Sequence, residues 1–390
     1  MNVLNFNHWC RRPVTLVCVL TTASLLLIAK PAPAETDASY GRLITTRAVA
    51  INPHTHKVYA VDESANLVVV TDEQTGSTHM VKVGNGPVAL AVNARTNRIY
   101  VVNADGNSIS VINGKQDAVI TTIKIRTGSD PYVIAANEAT NKIYVGNTYS
   151  DSLIVIDGAT NAVSRFKTGS ADGIIVDPSG NSIFLMTYED PNIRIVNAST
   201  GAMTKVNVGT HLWGMAFDAS TDALYLGHTG TGNVVELNVR THAVQTIPVG
   251  SIPCAVAVNP RTEMLYAVNY GSHTVSVINL KTNTVVATLP VGSHPQDVAV
   301  DALHNRIYVA NVHGNSITAI NGANNTIIGT YNAGKNPYAL AVDPKAERVY
   351  AADFGPPAVT AVDVSQAAAR ESHQSVSTAH FFSRAHPLLG

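Results

Sequence analysis

Apolar residues along this chain come in short runs separated by polar breaks, and the runs return with a fixed period. An Asn or Asp closes an alternating Ala/Val run at Asn52, Asn93, Asn137, Asp177, Asp218, Asn259, Asp301 and Asp343, every 40 to 44 residues. Within one period, Cys254–Val258, Met264–Val268, Thr274–Ile278 and Thr284–Val291 predict four strands, broken by Asn, Pro, Gly and Thr as hairpin connections are. The second run is apolar at consecutive positions, so both its faces are expected to be buried. A four-stranded antiparallel meander covered on both faces cannot bury itself alone and must stack on its neighbours. That predicts an all-β propeller. Ala or Gly recurs in the first strand of each unit (Ala89 and Ala91, Ala255 and Ala257, Gly173, Gly214), as expected where inner strands crowd an axis.

Counting the runs predicts how the ring closes. First, second and third strands occur eight times, whereas fourth strands following them occur seven times. Arg42–Thr46, ahead of the first unit, can supply the missing strand and remove exposed sheet edges. The expectation is eight blades over residues 42–364 closed by this N-terminal strand, with seven blades plus an extra unit as the alternative.

Composition agrees with short strands and tight turns: charged residues are 14% and aromatics 6%. Residues 1–34 differ. Arg11 and Arg12 precede the apolar stretch Val14 to Ala29, and Ala32-Pro33-Ala34 follows, which predicts a secretory signal peptide. The stretch is shorter than the ~20 apolar residues a membrane span needs. The expected location is therefore periplasmic, or secreted and at the cell surface. Leader removal leaves 23 basic against 27 acidic side chains, a net charge of −4. Such a surface offers no footprint for duplex nucleic acid, and no stable membrane span is expected in the mature chain. Cys254 is then alone and starts an apolar run, which fits a buried small residue better than a nucleophile. Residues 365–390 lack the repeat and read as a tail.

The repeat supplies its own internal comparison. Structural positions should stay constant between units, and a ligand site should break the pattern. The position opening each first strand holds Arg47, Val88, Tyr132, Asp172, Trp213, Cys254, Gln296 and Tyr338. The loops just upstream add Asp130, His211, His294 and Asn336. Loops between second and third strands, expected on the same face, add Tyr149, Tyr188, Glu189, His228, Tyr270, His273, His313 and Phe354. Rings with a few convergent polar groups suit a small ligand or peptide. The site expected from these residues is Arg47, Tyr132, Asp172, His211, Trp213, His228, His294, Gln296, His313 and Tyr338. Imidazoles carried on several loops stand too far apart to share one ion, so no metal or other cofactor is expected. His54, His56, His242 and His304 fall in turns of the opposite face and are expected to be solvated. No nucleophile elbow, phosphate loop, zinc-protease motif or haem motif occurs, and no catalytic residue is assigned.

The second strands Ile99-Tyr100-Val101-Val102-Asn103, Ile143-Tyr144-Val145-Gly146-Asn147 and Ile307-Tyr308-Val309-Ala310-Asn311 carry a further signal. With Asn107–Asn113 and Asn315–Asn321 following, the chain resembles the YVTN-type β-propeller repeat family from about Arg42 to Val364. That resemblance implies an exported surface protein and a recognition scaffold; its members are commonly seven-bladed. The preferred reading is a non-enzymatic exported scaffold binding a protein, peptide or envelope polymer on this face. The alternative is a metal-assisted lyase or lactonase-like enzyme using His211, His294 and His313 with Asp172 or Glu189. A purely structural surface-layer or adhesion module is the third.

Overall fold

In a computed structural model of the protein, residues 48–126, 129–354 and 359–364 are described. The expected leader 1–34, the closing strand Arg42–Thr46, the candidate Arg47 and the tail 365–390 lie outside them. All elements among the described residues are strands, arranged as eight antiparallel sheets of sequence-consecutive strands. Blades 1 to 7 have four strands each and span residues 49–82, 87–124, 131–167, 173–207, 212–248, 253–290 and 295–332. Blade 8, residues 337–363, has three described strands. This is an eight-bladed β-propeller, and the seven-blade alternative is set aside.

Blade 6 shows why these residues form these strands. β21 (Pro253–Asn259), β22 (Met264–Asn269), β23 (Thr274–Asn279) and β24 (Thr284–Pro290) match the sequence-based bounds to within two residues. β22 is buried at every position after its first, as the unbroken apolar run requires. β24 alternates exposed and half-buried residues, because its outer edge faces solvent. First strands of successive blades, such as β21 and β25 (Pro295–Asp301), pack side by side around the axis.

Two recurring residue types join the blades. The second-strand Tyr, for example Tyr266, is fully buried and clusters with Val298, Ile307 and Val309 of the next blade. The Asn that marks each repeat ties the turn faces together. Asn52 Nδ2 donates to Asn97 Oδ1 (2.8 Å), Asn93 to Asn141 (2.9 Å) and Asn259 to Asn305 (2.8 Å), each in the following blade.

The ring closes by packing. Ala339, Tyr350 and Ala352 of blade 8 share one apolar cluster with Ala48, Val49 and Tyr59 of blade 1. This seam is made like the others, by burying the faces of adjacent sheets.

Candidate functional site

The loops entering each first strand and those joining second to third strands meet on one face, where the backbone fixes what they display. In six of the eight blades the residue ahead of the first strand is left-handed: Gly86 (φ 63°), Asp130 (φ 45°), His211 (φ 61°), Ile252 (φ 52°), His294 (φ 50°) and Asn336 (φ 53°). Asn, Asp and His tolerate this region best among residues with a side chain, so polar groups gather at these corners. Their N–H groups are held by the preceding blade. Asn336 N donates to Asn315 Oδ1 (2.8 Å), and His294 N donates to His273 Nδ1 (3.0 Å). His273 thus replaces an Asn as a loop tie, which leaves Nε2 as its only ring nitrogen for any other partner.

The second residue of the first strand is a β-bulge in five blades. Register skips Val88, Tyr132, Cys254, Gln296 and Tyr338 against their second strands, and blade 5 skips Gly214 instead. A bulged residue is free of the ladder and its side chain is re-aimed. Five of the positions that broke the sequence pattern are therefore positions where the sheet geometry also breaks.

The rim side chains gather in three groups. Between blades 6 and 7, His294 lies within 4.3 Å of His313, 4.5 Å of His273 and 4.8 Å of Tyr270, ring centre to ring centre. Ser293 Oγ sits 2.8 Å from His294 Nδ1. Between blades 4 and 5, Tyr188 meets His211 edge-on at 5.2 Å and Trp213 at 6.1 Å. Asp172 joins this group by accepting the Tyr188 N–H at 3.1 Å. His228 lies beside His211, and burial together with that second imidazole holds its pKa below the usual histidine value. In blade 8, Tyr338 and Phe354 stack at 4.3 Å.

Two expected site residues are buried. Tyr132 packs among Val133, Tyr144 and Ala171 in the core of blades 3 and 4. Gln296 is 6% exposed, and neither its Nε2 nor its Oε1 has a hydrogen-bond partner. An orphaned buried amide is costly unless something pairs with it. Cys254 is inert: its Sγ lies 3.4 Å from the Pro295 carbonyl, and burial pushes the thiol far up.

The residues of the enzyme alternative do not converge. His294 and His313 belong to the blade 6/7 group, whereas His211 and Asp172 belong to the blade 4/5 group. Among the described residues, the metal-competent cluster is elsewhere, at His56, Glu73 and Asp343 on the opposite face. His56 is accordingly not a plain solvated turn residue, and His304 also departs from that expectation, with Nδ1 2.7 Å from Asp301 Oδ2. His54 and His242 are exposed as expected.

Sequence reasoning passed over two charged residues near the candidate face. Arg194 is 2% exposed in the third strand of blade 4; it donates to the Thr168 carbonyl (3.1 Å) and to Thr187 Oγ1 (2.5 Å), and so pins two loops. Burial lowers its pKa. Asp297 lies on a first strand where sister blades carry Ala, Gly or Val, and its Oδ2 accepts Leu340 N–H of blade 8 at 2.7 Å. In both cases the signal was a charge at a position that is small, apolar or hydroxylic elsewhere.

Solved structures share the fold. Hydrazine synthase of Kuenenia stuttgartiensis aligns at TM-score 0.59 and 18% identity, over 76% of this chain and 99% of that one. Virginiamycin B lyase from Staphylococcus aureus aligns at 0.56 and 14%, over 68% and 90%. The dihydro-heme d1 dehydrogenase NirN, solved in complex with DHE, aligns at 0.68 and 12%, over 87% and 76%. No protein-family model and no curated protein matches the chain. At these identities the likeness is one of architecture.

Proposed function

We propose that this chain is an exported, non-enzymatic propeller that binds a protein, peptide or envelope polymer on the loop face of blades 4 to 7. One observation carries the reading: two ring clusters, at His294 and at Tyr188 with Trp213, stand on the loops of one face, and the amide of Gln296 on the first strand that follows His294 is buried and unpaired. Aromatic and imidazole rings on a rigid scaffold bury large area at low entropic cost, and a polar group beneath them fixes orientation. Exposed Tyr149 and Phe354 extend the apolar character along the same face. Export rests on the basic, apolar and small-residue order of positions 11–34. The resemblance to YVTN-type repeats points the same way. The set named for a metal-assisted enzyme is divided between two clusters, which favours recognition over chemistry.

The test is capture from a cell-envelope extract by the immobilised chain, with Trp213→Ala and His294→Ala as variants. Each variant removes a ring from one of the two clusters, and capture is expected to fall at least tenfold, since such residues dominate binding energy. Equal capture by wild type and the double variant would overturn the reading.

A further inference from the structure

We propose that the seam between blades 8 and 1 holds a divalent transition-metal ion, zinc being the best fit, bound by His56 Nδ1, the Glu73 carboxylate and Asp343 Oδ2. This inference is independent of the loop-face reading and concerns the opposite face.

The repeat shows what the seam would otherwise contain. In blades 2, 3 and 7 the turn between first and second strands ends on left-handed Asn97, Asn141 and Asn305, and each pairs with the marker Asn of the preceding blade. The backbone of each also accepts an N–H from a glycine after the third strand: Gly114, Gly158 and Gly322, at 2.8 to 2.9 Å. Blade 1 keeps the backbone and changes the chemistry. Left-handed His56 (φ 53°) stands in the Asn position and accepts the N–H of Glu73, which stands in the glycine position, at 2.9 Å. The marker of blade 8 is Asp343. Two coordinated departures, His56 and Glu73, thus fall at a seam whose marker is one of the Asp residues, and all three side chains can ligate a metal.

The geometry suits an ion. Donor atoms of the three residues all lie within 4.8 Å of one another. His56 Nδ1 is 3.6 Å from Asp343 Oδ2 and 3.9 Å from Glu73 Oε2, beyond hydrogen-bond reach. A tetrahedral ion with bonds of about 2.0 Å sets its ligands roughly 3.3 Å apart, so the two imidazole–carboxylate gaps need only a sub-ångström contraction. Asp343 Oδ1 is already used, accepting Lys345 N–H (2.8 Å) and Ala346 N–H (3.1 Å), which orients Oδ2 toward the seam.

The second observation is Glu73 itself. Its side chain is 3% exposed, and both carboxylate oxygens are buried without a hydrogen-bond partner. Two buried carboxylates beside each other are unfavourable, and a divalent cation neutralises both. Three ligands including an imidazole match zinc rather than calcium or magnesium, which require six or more oxygens. His56, at 28% exposure, leaves a route from solvent. The site would staple the first blade to the last.

The experiment is zinc titration of the purified full chain by calorimetry, with thermal melting in parallel. The expected result is one equivalent bound at the seam and a higher melting temperature. His56→Asn and Glu73→Gly each install the residue that sister blades carry, so the fold is expected to persist, checked by unchanged far-UV circular dichroism. Each should weaken that equivalent at least tenfold and abolish its melting shift, while His294→Ala and His313→Ala leave it intact. Zinc that binds wild type and the His56→Asn/Glu73→Gly double variant alike, zinc lost only with His294→Ala, or no zinc binding would each overturn the proposal. Cobalt substitution supplies a readout independent of stability: loss of its visible d–d spectrum in Glu73→Gly supports the site, and persistence overturns it.

Discussion

Single residues carry the departures from the repeat, and their cost reveals their place. Asp353 ends the second strand of blade 8, where Asn103, Asn147, Asn269 and Asn311 end theirs. Those amides donate to hydroxyls or a carbonyl of the following loop or strand, as Asn311 Nδ2 does to Thr318 Oγ1 at 2.9 Å. Asp353 cannot donate when ionised. It accepts from Thr360 Oγ1 (2.6 Å), its Oδ1 is buried without a partner, and burial pushes the carboxyl up to about 6. Between the ordinary value of 3.8 and about 6, the folded chain keeps a proton that the unfolded chain has lost. Stability from this group therefore falls as pH rises through that window, and the penalty stays constant above it. Asp353→Asn should gain about 1–2 kcal/mol at pH 7.5 and almost nothing at pH 4, read from urea midpoints at the two values. Equal gains at both would contradict the assignment.

At the scale of the element, the bulge decides what the candidate face presents. Blade 5 shifts its bulge by one residue because Trp213 stays in register and Gly214 takes the unpaired place, at φ 72°. A Cβ on Gly214 would meet the Cys254 carbonyl oxygen at 2.6 Å and the Ala255 Cα at 2.9 Å, both backbone of the next blade. Gly214→Ala should therefore cost about 2–4 kcal/mol, from left-handed strain plus overpacking against atoms that cannot yield. Chemical denaturation measures it, and a loss below the neutral surface range would refute this tight approach. The strands themselves were legible in the run lengths of the sequence. The bulges were not, because a register skip depends on which residues of the partner strand find hydrogen bonds.

Across the whole molecule, stability lies in the seams. Tyr266 fills the space between blades 6 and 7, with its hydroxyl buried and unpaired and its pKa pushed up to about 12 by burial. Blade 4 uses Phe184 at the equivalent place. Tyr266→Phe should change stability by less than about 1 kcal/mol or improve it, since an unsatisfied polar group is removed. Tyr266→Ala should lose about 3–5 kcal/mol through the cavity it opens. A large loss on the phenylalanine change in a thermal or urea melt would mean that the hydroxyl has a partner. The candidate face follows the same logic of scale. Trp213, His211 and Asp172 stood out in the sequence because sister units give a baseline, and the fold brings them together around Tyr188.

The amino-acid order alone determined the four-strand unit, the eightfold repetition and the face on which irregular residues accumulate, because period and polarity are local properties that each unit restates. Tertiary structure decided which irregular residues touch. Tyr132 entered the core and Gln296 was buried unpaired, since a bulge and its neighbours set side-chain direction. His56 and Glu73 met Asp343 only because the ring brings its first and last units into contact. Proximity across a closed ring depends on curvature accumulated over eight sheets, and no single repeat contains that information.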